Sequence, residues 1–525
     1  MNAFRNVREL LEDRVQRDPL KKFLFSESDG REWTYGEFDA AVKRTAGFLA
    51  SRGITKGDVV SLLLKNSPEY VIAYFACFSI GAIAGPVNSL LKSEEIEWVV
   101  GNSKSKLLLV GSDWKASIPA CLKEKLGSPG FIFFDDVTEA TKESSAHPDA
   151  VPLTPDNEAI IIYTSGTTGK PKGCLLTHGN LIANARQIAE WMGFGPDDRL
   201  LTVMPLFHMN AVSVTTMTAL YAGGSTVVSP KFSASRFWDI IEKYKITSFG
   251  SVATMLSMLL SRQQEDERIK HSSLVYRPSS LRFAMCGSAP VPAEVLKKFE
   301  EEFGVLVIEG YGLSESTCRS TFNPPNENRR PGSCGLPIGN EMKVFDENDA
   351  EVPDCELGEI VLRGENIFKG YFNNPEATEK AFANGWFHTG DIGYRDADGF
   401  FYIADRKSDM IIRGGENIYP REIDDVLYTH PAVAHASVIG VPDELYGEEV
   451  AAFVVLKEGY TRAETRPGGN LHDEYQVTAG DLIDFCKQHL ADYKCPKTLY
   501  FVDDIPKGPT GKLLKRELRA KIGSA

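Results

Sequence analysis

The stretch YTSGTTGKPKG, residues 163–173, follows a run of isoleucines and precedes a helix-patterned segment. The apolar EAIIIY before it reads as a buried strand, and SGTTGKPKG cannot continue that strand. Its glycines permit backbone angles that other residues avoid, and they let successive N–H groups turn inward around an anion. Ser165, Thr167 and Thr168 add hydroxyl donors, and Lys170 and Lys172 add positive charge. A helix pattern starting near Asn180 would add its positive N-terminal end if it lies close. Phosphate is the anion these donors suit. The spacing is not that of a P-loop, because Gly166 to Gly169 is too short and Pro171 follows Lys170.

The rest of the chain sets the frame for that loop. With 525 residues, about three compact units are expected. Hydrophobic residues at 42% leave room for a sizeable core. A formal net charge of −14 argues against general affinity for nucleic acid or anionic membrane, while a local basic patch around an anionic ligand stays allowed. The nine cysteines are dispersed without CxxC or zinc spacing, which predicts reduced thiols and a cytoplasmic location. The start, MNAFRNVRELLEDRVQRDP, is charged and helix-patterned, unlike a secretory signal. The uncharged run YVIAYFACFSIGAIAGPV (70–87) is punctuated by glycine and proline. It reads as a buried helix and then a buried strand, so no integral membrane contact is expected.

Short apolar runs alternate with amphipathic stretches: KLLLV, EAIIIYT, RLLTVMP, GSTVVSP and LVIEGYG are strand candidates, and NLIANARQIAEWM is a helix. That alternation predicts layered α/β subdomains with largely parallel sheets. Residues 344–402 differ, with short alternating strands and Gly/Asp turns that predict a small antiparallel sheet or barrel. A boundary is expected just after ADRKSD, dividing the chain into 1–407 and a small α+β domain, 408–525. Within the latter, 458–476 reads as an exposed loop.

Four further stretches ask for one explanation. In IEGYGLSEST (308–317), Tyr311 between two glycines offers a flat face for a nucleobase. Ser314 can donate to a phosphate, and Glu315 can hold Mg²⁺, which takes hard oxygen ligands. Glu315 stands where a GxGxxG fingerprint needs its third glycine, so a dinucleotide fold loses support. In GWFHTGDIG (385–393), Asp391 can accept both hydroxyls of a ribose, although taken alone the residue is better explained as a turn aspartate with local bonds. DRKSDMIIRGGENIYP (405–420) has Arg406, suited to ribose or phosphate, and then a Gly414–Gly415 turn. IPKGPTGKLLKREL (505–518) places Lys512 after a Pro/Gly turn, ahead of a basic helix.

The order of these motifs, from REWTYGEF (31–38) to GPTGKLLKREL (508–518), resembles the adenylate-forming superfamily: acyl-CoA synthetases, adenylation domains of peptide synthetases and firefly-luciferase-like enzymes. The resemblance implies a large N-terminal region, a hinge, and a small mobile C-terminal domain that rotates between two half-reactions. In the first, carboxylate and MgATP give acyl-adenylate and pyrophosphate. In the second, a thiol, usually that of coenzyme A, attacks and releases AMP.

By the same resemblance, Thr164, Ser165, Gly166, Thr167, Thr168, Gly169, Lys170 and Lys172 grip the β- and γ-phosphates. Ser288, Ala289 and Pro290 of CGSAP, with Glu309, Gly310 and Tyr311, enclose adenine. Ser314 contacts the α-phosphate, Glu315 the metal, and Asp391 and Arg406 the ribose. Lys512 bridges the carboxylate and the α-phosphate. Ser408 falls at the hinge, where relatives usually carry Asp or Lys. Gly414 and Gly415 help build a thiol tunnel, and Lys494 of DYKCPK contacts coenzyme A.

MPLFHMNAVSV (204–214) matches the family's pocket-wall segment. His208 is then the aromatic gate beside the carboxylate, and Met209, Asn210 and Gly335 of GSCGLPIG (332–339) line the acyl pocket. Amino-acid adenylation domains typically place an Asp near this point, and Asn210 is neutral, so an amino-acid substrate is disfavoured. No carrier domain follows, which favours free coenzyme A. The expected activity is therefore ATP-dependent acid–CoA ligation, in the style of carnitine/crotonobetaine or medium-chain ligases, by a monomer or homodimer. Rival readings are a carrier-protein thiol as acceptor or luciferase-like oxygenation. A serine hydrolase is disfavoured because no GxSxG elbow occurs.

Overall fold

Two seven-stranded sheets, built from the short apolar runs, carry the first part of the chain. The computed structural model describes residues 4–114, 131–134, 151–164, 171–265, 279–287, 293–463, 475–507 and 513–522. Contacts divide the chain into two units, Met1–Met342 with Leu362–Phe387, and Lys343–Val361 with His388–Ala525.

In the larger unit one sheet runs Leu306–Glu309, Phe283–Cys286, Ser248–Ser251, Arg199–Thr202, Ser225–Val228, Lys22–Ser26, Glu32–Thr34. Every neighbouring pair is parallel except the last. The other sheet runs Gly370–Tyr371, Lys172–Thr177, Glu158–Thr164, Ile83–Pro86, Val59–Leu63, Leu107–Val110, Phe131–Phe133. Its pairings are antiparallel up to Glu158–Thr164 and parallel from there on. Leu107–Val110 is buried at all four positions, as expected of a parallel strand covered on both faces.

The uncharged run at 70–87 becomes helix Pro68–Ile80 and strand Ile83–Pro86. Ser67 caps the helix by accepting the Tyr70 N–H, and Gly81 ends it with φ of 72°. Among the described residues, no helix is long and apolar enough to cross a membrane.

One expectation near the opening loop fails. The helix there spans His178–Met192, but strand Lys172–Thr177 lies between it and the loop. Six extended residues put the helix start roughly 20 Å from Lys172, so the helix does not begin directly at the end of the glycine-rich segment. Its first N–H groups are satisfied locally instead, with Asn180 N–H donated to the Thr177 hydroxyl. The strands on either side of residues 165–170 pair antiparallel, with Thr164 opposite Lys172.

In the smaller unit, Asp391 and Arg406 face each other on antiparallel strands Trp386–Arg395 and Phe401–Arg406. Beyond them a sheet runs Glu416–Ile418, Ile411–Arg413, Gly447–Leu456, Val433–Asp443, with Thr498–Phe501 parallel on Gly447–Leu456. Helices Pro420–Thr429 and Ala479–His489 cover it, and Ile411, Ile423, Leu427, Val438 and Leu482 form its core. The stretch read as a loop at 458–476 contains two short parallel strands, Thr461–Arg462 and Gln476–Val477. They bring together the ends of a segment whose middle lies outside the described residues.

Asp424 is buried at the edge of that core. Its Oδ1 accepts the Val438 N–H at 2.7 Å, and Lys515 Nζ lies 3.8 Å from its carboxylate. Burial raises its pKa to about 7; Lys515 pulls the other way, and Asp405 adds to the rise. The native state therefore holds this proton more tightly than the unfolded chain does. The stability it contributes is complete below about pH 4 and is lost as pH rises through 7. The melting temperature of the natural protein relative to Asp424→Asn should fall from pH 5 to about pH 7 and level off by pH 8. A difference that stays constant in differential scanning fluorimetry would refute this.

Candidate active site

Lys172, at the exit of the hairpin, holds its ammonium 5.1 Å from the centre of the Tyr371 ring. Strand Gly370–Tyr371 pairs antiparallel with Cys174 and Leu175, which sets that ring beside the hairpin. The Tyr371 hydroxyl donates to Glu315 Oε1 at 2.9 Å. Glu315 stands on the short turn Ser314–Ser316, and its carbonyl accepts the Phe368 N–H at 2.8 Å. Lys172, Glu315 and Tyr371, far apart in the chain, thus form one cation–ring–carboxylate array at the base of the glycine-rich loop.

The turn is held by a chain segment that closes on itself. The Tyr311 N–H donates to the Thr321 hydroxyl at 3.1 Å, and the Tyr311 carbonyl accepts from the backbone of Ser320 and Thr321. A Cβ on Gly312 would stand 2.1 Å from the Cys318 carbonyl oxygen, so no side chain fits there. Thr317, buried, takes φ of 65° and is anchored by donating to the Asn366 carbonyl at 2.7 Å. A threonine in this region is strained, and such strain gathers at functional turns. Tyr311 and Ser314 are half-buried on this closed segment; Gly310 leads into it, and buried Glu309 accepts the Gly332 N–H.

The acid-side residues come together separately. His208 is buried with Nε2 unbonded, and burial pulls its pKa down to about 4, so the ring is neutral at pH 7. Met209 is buried beside it. Asn210 opens a π-helix, Asn210–Met217, a form that recurs at functional sites. Among the described residues, neither amide atom of buried Asn210 has a hydrogen-bond partner. Gly335 takes φ of 89° with its Cα against the Phe322 backbone, where a Cβ would come within 2.1 Å. It thus acts through close packing.

In the smaller unit, Arg406 Nε meets Asp391 Oδ1 at 2.5 Å, and Asp391 is buried. Ser408 is exposed in the turn that follows Arg406. Gly414 and Gly415, with φ of 59° and 91°, form the two-residue turn of hairpin Ile411–Arg413/Glu416–Ile418. Lys494 donates to both oxygens of Glu422, at 2.8 and 2.7 Å, so its charge is already paired. Ser165, Gly166, Thr167, Thr168, Gly169 and Lys170, the adenine-side Ser288, Ala289 and Pro290, and Lys512 lie outside the described residues. Lys507 and Leu513, which flank the Lys512 segment, form an antiparallel bridge.

Two residues here carry no sequence signal. Tyr371 sits 56 positions after the carboxylate it bonds, in a stretch whose spacing says nothing of Glu315. Arg319, in polar STCRST, reads as exposed, yet it is the largest fully buried side chain described.

The geometry has relatives. Residues 11–372 match the model of the AMP-binding enzymes, and 422–512 match their C-terminal domain. A sulfoacetate–CoA ligase of Cupriavidus necator is 35% identical over 98% of both chains. A crotonobetaine/carnitine–CoA ligase of Citrobacter koseri is 34% identical over 98% of this chain and 99% of its own. The o-succinylbenzoate CoA synthetase of Bacillus subtilis, solved with its acyl-adenylate intermediate, superposes with a TM-score of 0.83 at 33% identity over 98% of each chain. The same enzyme solved with ATP and magnesium gives 0.83 at 34% identity, over 97% of this chain and 99% of that one.

The chain belongs to the AMP-binding, adenylate-forming enzymes. Within that family it is an ATP-dependent carboxylic acid–CoA ligase, working with ATP, Mg²⁺ and coenzyme A.

Removing the hydroxyl that orients Glu315 tests the array directly. Tyr371→Phe keeps the ring under Lys172 but strips the 2.9 Å bond. One lost bond to a charged group costs roughly 1.5–3 kcal/mol, so kcat/KM for ATP should fall about tenfold or more. Pyrophosphate exchange titrated with ATP and Mg²⁺ measures it; an unchanged value would remove Tyr371 from the site.

Proposed function

We propose that the hairpin loop, the Ser314–Glu315 turn, the Asp391–Arg406 pair and Lys512 together bind ATP and one carboxylic acid for adenylation. Coenzyme A then takes the acyl group. The observation that carries this reading is the Lys172–Tyr371–Glu315 array at the foot of the glycine-rich hairpin.

The roles follow from the charges. Both reactants of the first step are anions, so the barrier is set by repulsion and by charge gathering on the α-phosphate. Residues 164–172 hold the outer phosphates, with Lys172 supplying a fixed cation. Glu315, its Oε1 held by Tyr371, is a hard oxygen donor of the kind Mg²⁺ takes alongside phosphate oxygens and water. No group of three or more metal-ligating side chains occurs among the described residues, which fits a metal held mainly by the nucleotide. When bound, the ion supplies neutralisation of phosphate charge. Ser314 donates to the α-phosphate, and residues 288–290 with Glu309, Gly310 and Tyr311 enclose the base.

Asp391 accepts from the ribose hydroxyls, and Arg406, in an ion pair with it, holds that carboxylate in place. His208, neutral through burial, gates the acid without adding charge, and Met209, Asn210 and Gly335 shape the acyl wall. The two named relatives act on acids as different as sulfoacetate and crotonobetaine, so the choice of acid rests with the side chains of the pocket.

We place the functional division at 1–407 and 408–525, with exposed Ser408 as hinge. The adenylate hydrolyses readily, so water must be kept from it. A domain that brings Lys512 to the α-phosphate and then withdraws would serve the first step, and Gly414 and Gly415 would serve the thiol in the second. Lys494 reaches coenzyme A only by leaving Glu422. The eight described cysteines are all free thiols, which supports a cytoplasmic enzyme with small-molecule partners.

Replacing Lys512 by Ala should lower acid-dependent pyrophosphate exchange by ~10²–10³, the usual cost of one lost transition-state contact. Thiolation of supplied acyl-adenylate should change little. Equal loss in both half-reactions would count against the rotating-domain assignment.

A further inference from the structure

Arg319 is 1% exposed, and its Nε and Nη2 have no hydrogen-bond partner. Among the described residues it makes no ion pair. Phe322 lies 5.4 Å from its guanidinium carbon, and Glu309, the carboxylate that shares its neighbourhood at Cys286, accepts the Gly332 N–H. A permanent cation held out of water and left unpaired is costly, and proteins keep such a group when a ligand completes it.

The position of that cation can be read from the sheet. A Cβ on Gly287 would stand 2.6 Å from Arg319 Nη2, and a Cβ on Gly250 would stand 2.6 Å from Asn210 Oδ1. Gly250 pairs with Met285 on the neighbouring parallel strand, two residues before Gly287. Residues paired in register, and residues two apart, share a face. Arg319 and Asn210 therefore press on the same face, at the carboxyl ends of adjacent strands, over backbone positions roughly 8 Å apart by strand spacing and rise. Asn184 ties the two sides together: its Oδ1 accepts from the Ser213 hydroxyl of the π-helix at 2.9 Å, and its Nδ2 donates to the Arg319 carbonyl at 2.7 Å. His208 and Asn210 are neutral, so among the described residues on this face Arg319 carries the charge, and no carboxylate forms an ion pair with it.

We infer that Arg319 binds a second anionic group on the acid, and that the enzyme's substrates are short acids with two anionic ends, such as dicarboxylates or sulfonated carboxylates. One carboxylate goes to the α-phosphate; the other anion makes a charge-assisted, fork-shaped contact with the guanidinium. The inference rests on His208 and Asn210 being the acid wall.

The test compares malonate, succinate and sulfoacetate with acetate, propionate and butyrate, reading AMP release with coenzyme A. The natural enzyme should prefer the dianionic acids by ~10² or more in kcat/KM, because a monoacid leaves the buried guanidinium unpaired. Arg319→Met should lose most of that ratio, and Arg319→Lys should keep part of it. Without ligand, Arg319→Met should melt at or above the natural protein, since it removes an uncompensated buried charge. A dianion-to-monoanion ratio near one in the natural enzyme would overturn the inference. So would an Arg319→Met protein that melts several degrees lower, which would show the arginine bonded into the fold. Asn210→Ala separates the underlying assignment: an unchanged KM for every acid removes the wall itself, whereas an unchanged preference in Arg319→Met removes only the anion anchor.

Discussion

Residues 311–321 can close only because the backbone passes 2.1 Å from where a side chain at Gly312 would begin. Tyr311 is then bonded to Ser320 and Thr321, and the residues between them have little freedom. Two charged side chains leave this closed segment in different environments. Glu315 is half-buried and meets the Tyr371 hydroxyl; Arg319 is fully buried beside Gly287. Both the carboxylate that suits a metal and the cation that suits an acid depend on one tight backbone contact, reinforced by Thr317 in its strained conformation.

The distribution of charge follows the reaction. Most ionisable groups near the site are neutralised or paired: His208 by burial, Asp391 by Arg406, Lys494 by Glu422. Among the described residues, that leaves Lys172 and Arg319 as places where an anion can lower the energy of the system. Joining two anions needs no side-chain nucleophile. It needs fixed positive charge at the right points and little reorganisation when charge moves, which groups held by backbone bonds, such as the closed segment 311–321, supply better than mobile side chains.

Much of the fold was legible. The runs KLLLV, EAIIIYT, RLLTVMP, GSTVVSP and LVIEGYG all become strands, and NLIANARQIAEWM lies within one helix. Length and apolar continuity decide such elements locally. The return strand Lys172–Thr177 was less visible, because a six-residue run ending at a helix cap resembles the helix's own approach. That single strand separates the helix start from the glycine-rich segment along the chain. For the site, Glu315, Asp391 and Arg406 could be named from the order of the motifs and the family it resembles, because a turn aspartate taken alone is better explained by local bonds. Tyr371 could not, since its meaning is a bond to a residue 56 positions away.

The sequence by itself determined the element order, the glycine-rich turns and the family, because each is written in residues close together along the chain. Only the tertiary structure decided which side chains meet: Tyr371 with Glu315, Asn210 against Gly250, Arg319 against Gly287. The reason is physical. Burial and the absence of a partner depend on every neighbour at once, so an arginine in a polar stretch looks solvated until the packed strands around it show that it is not.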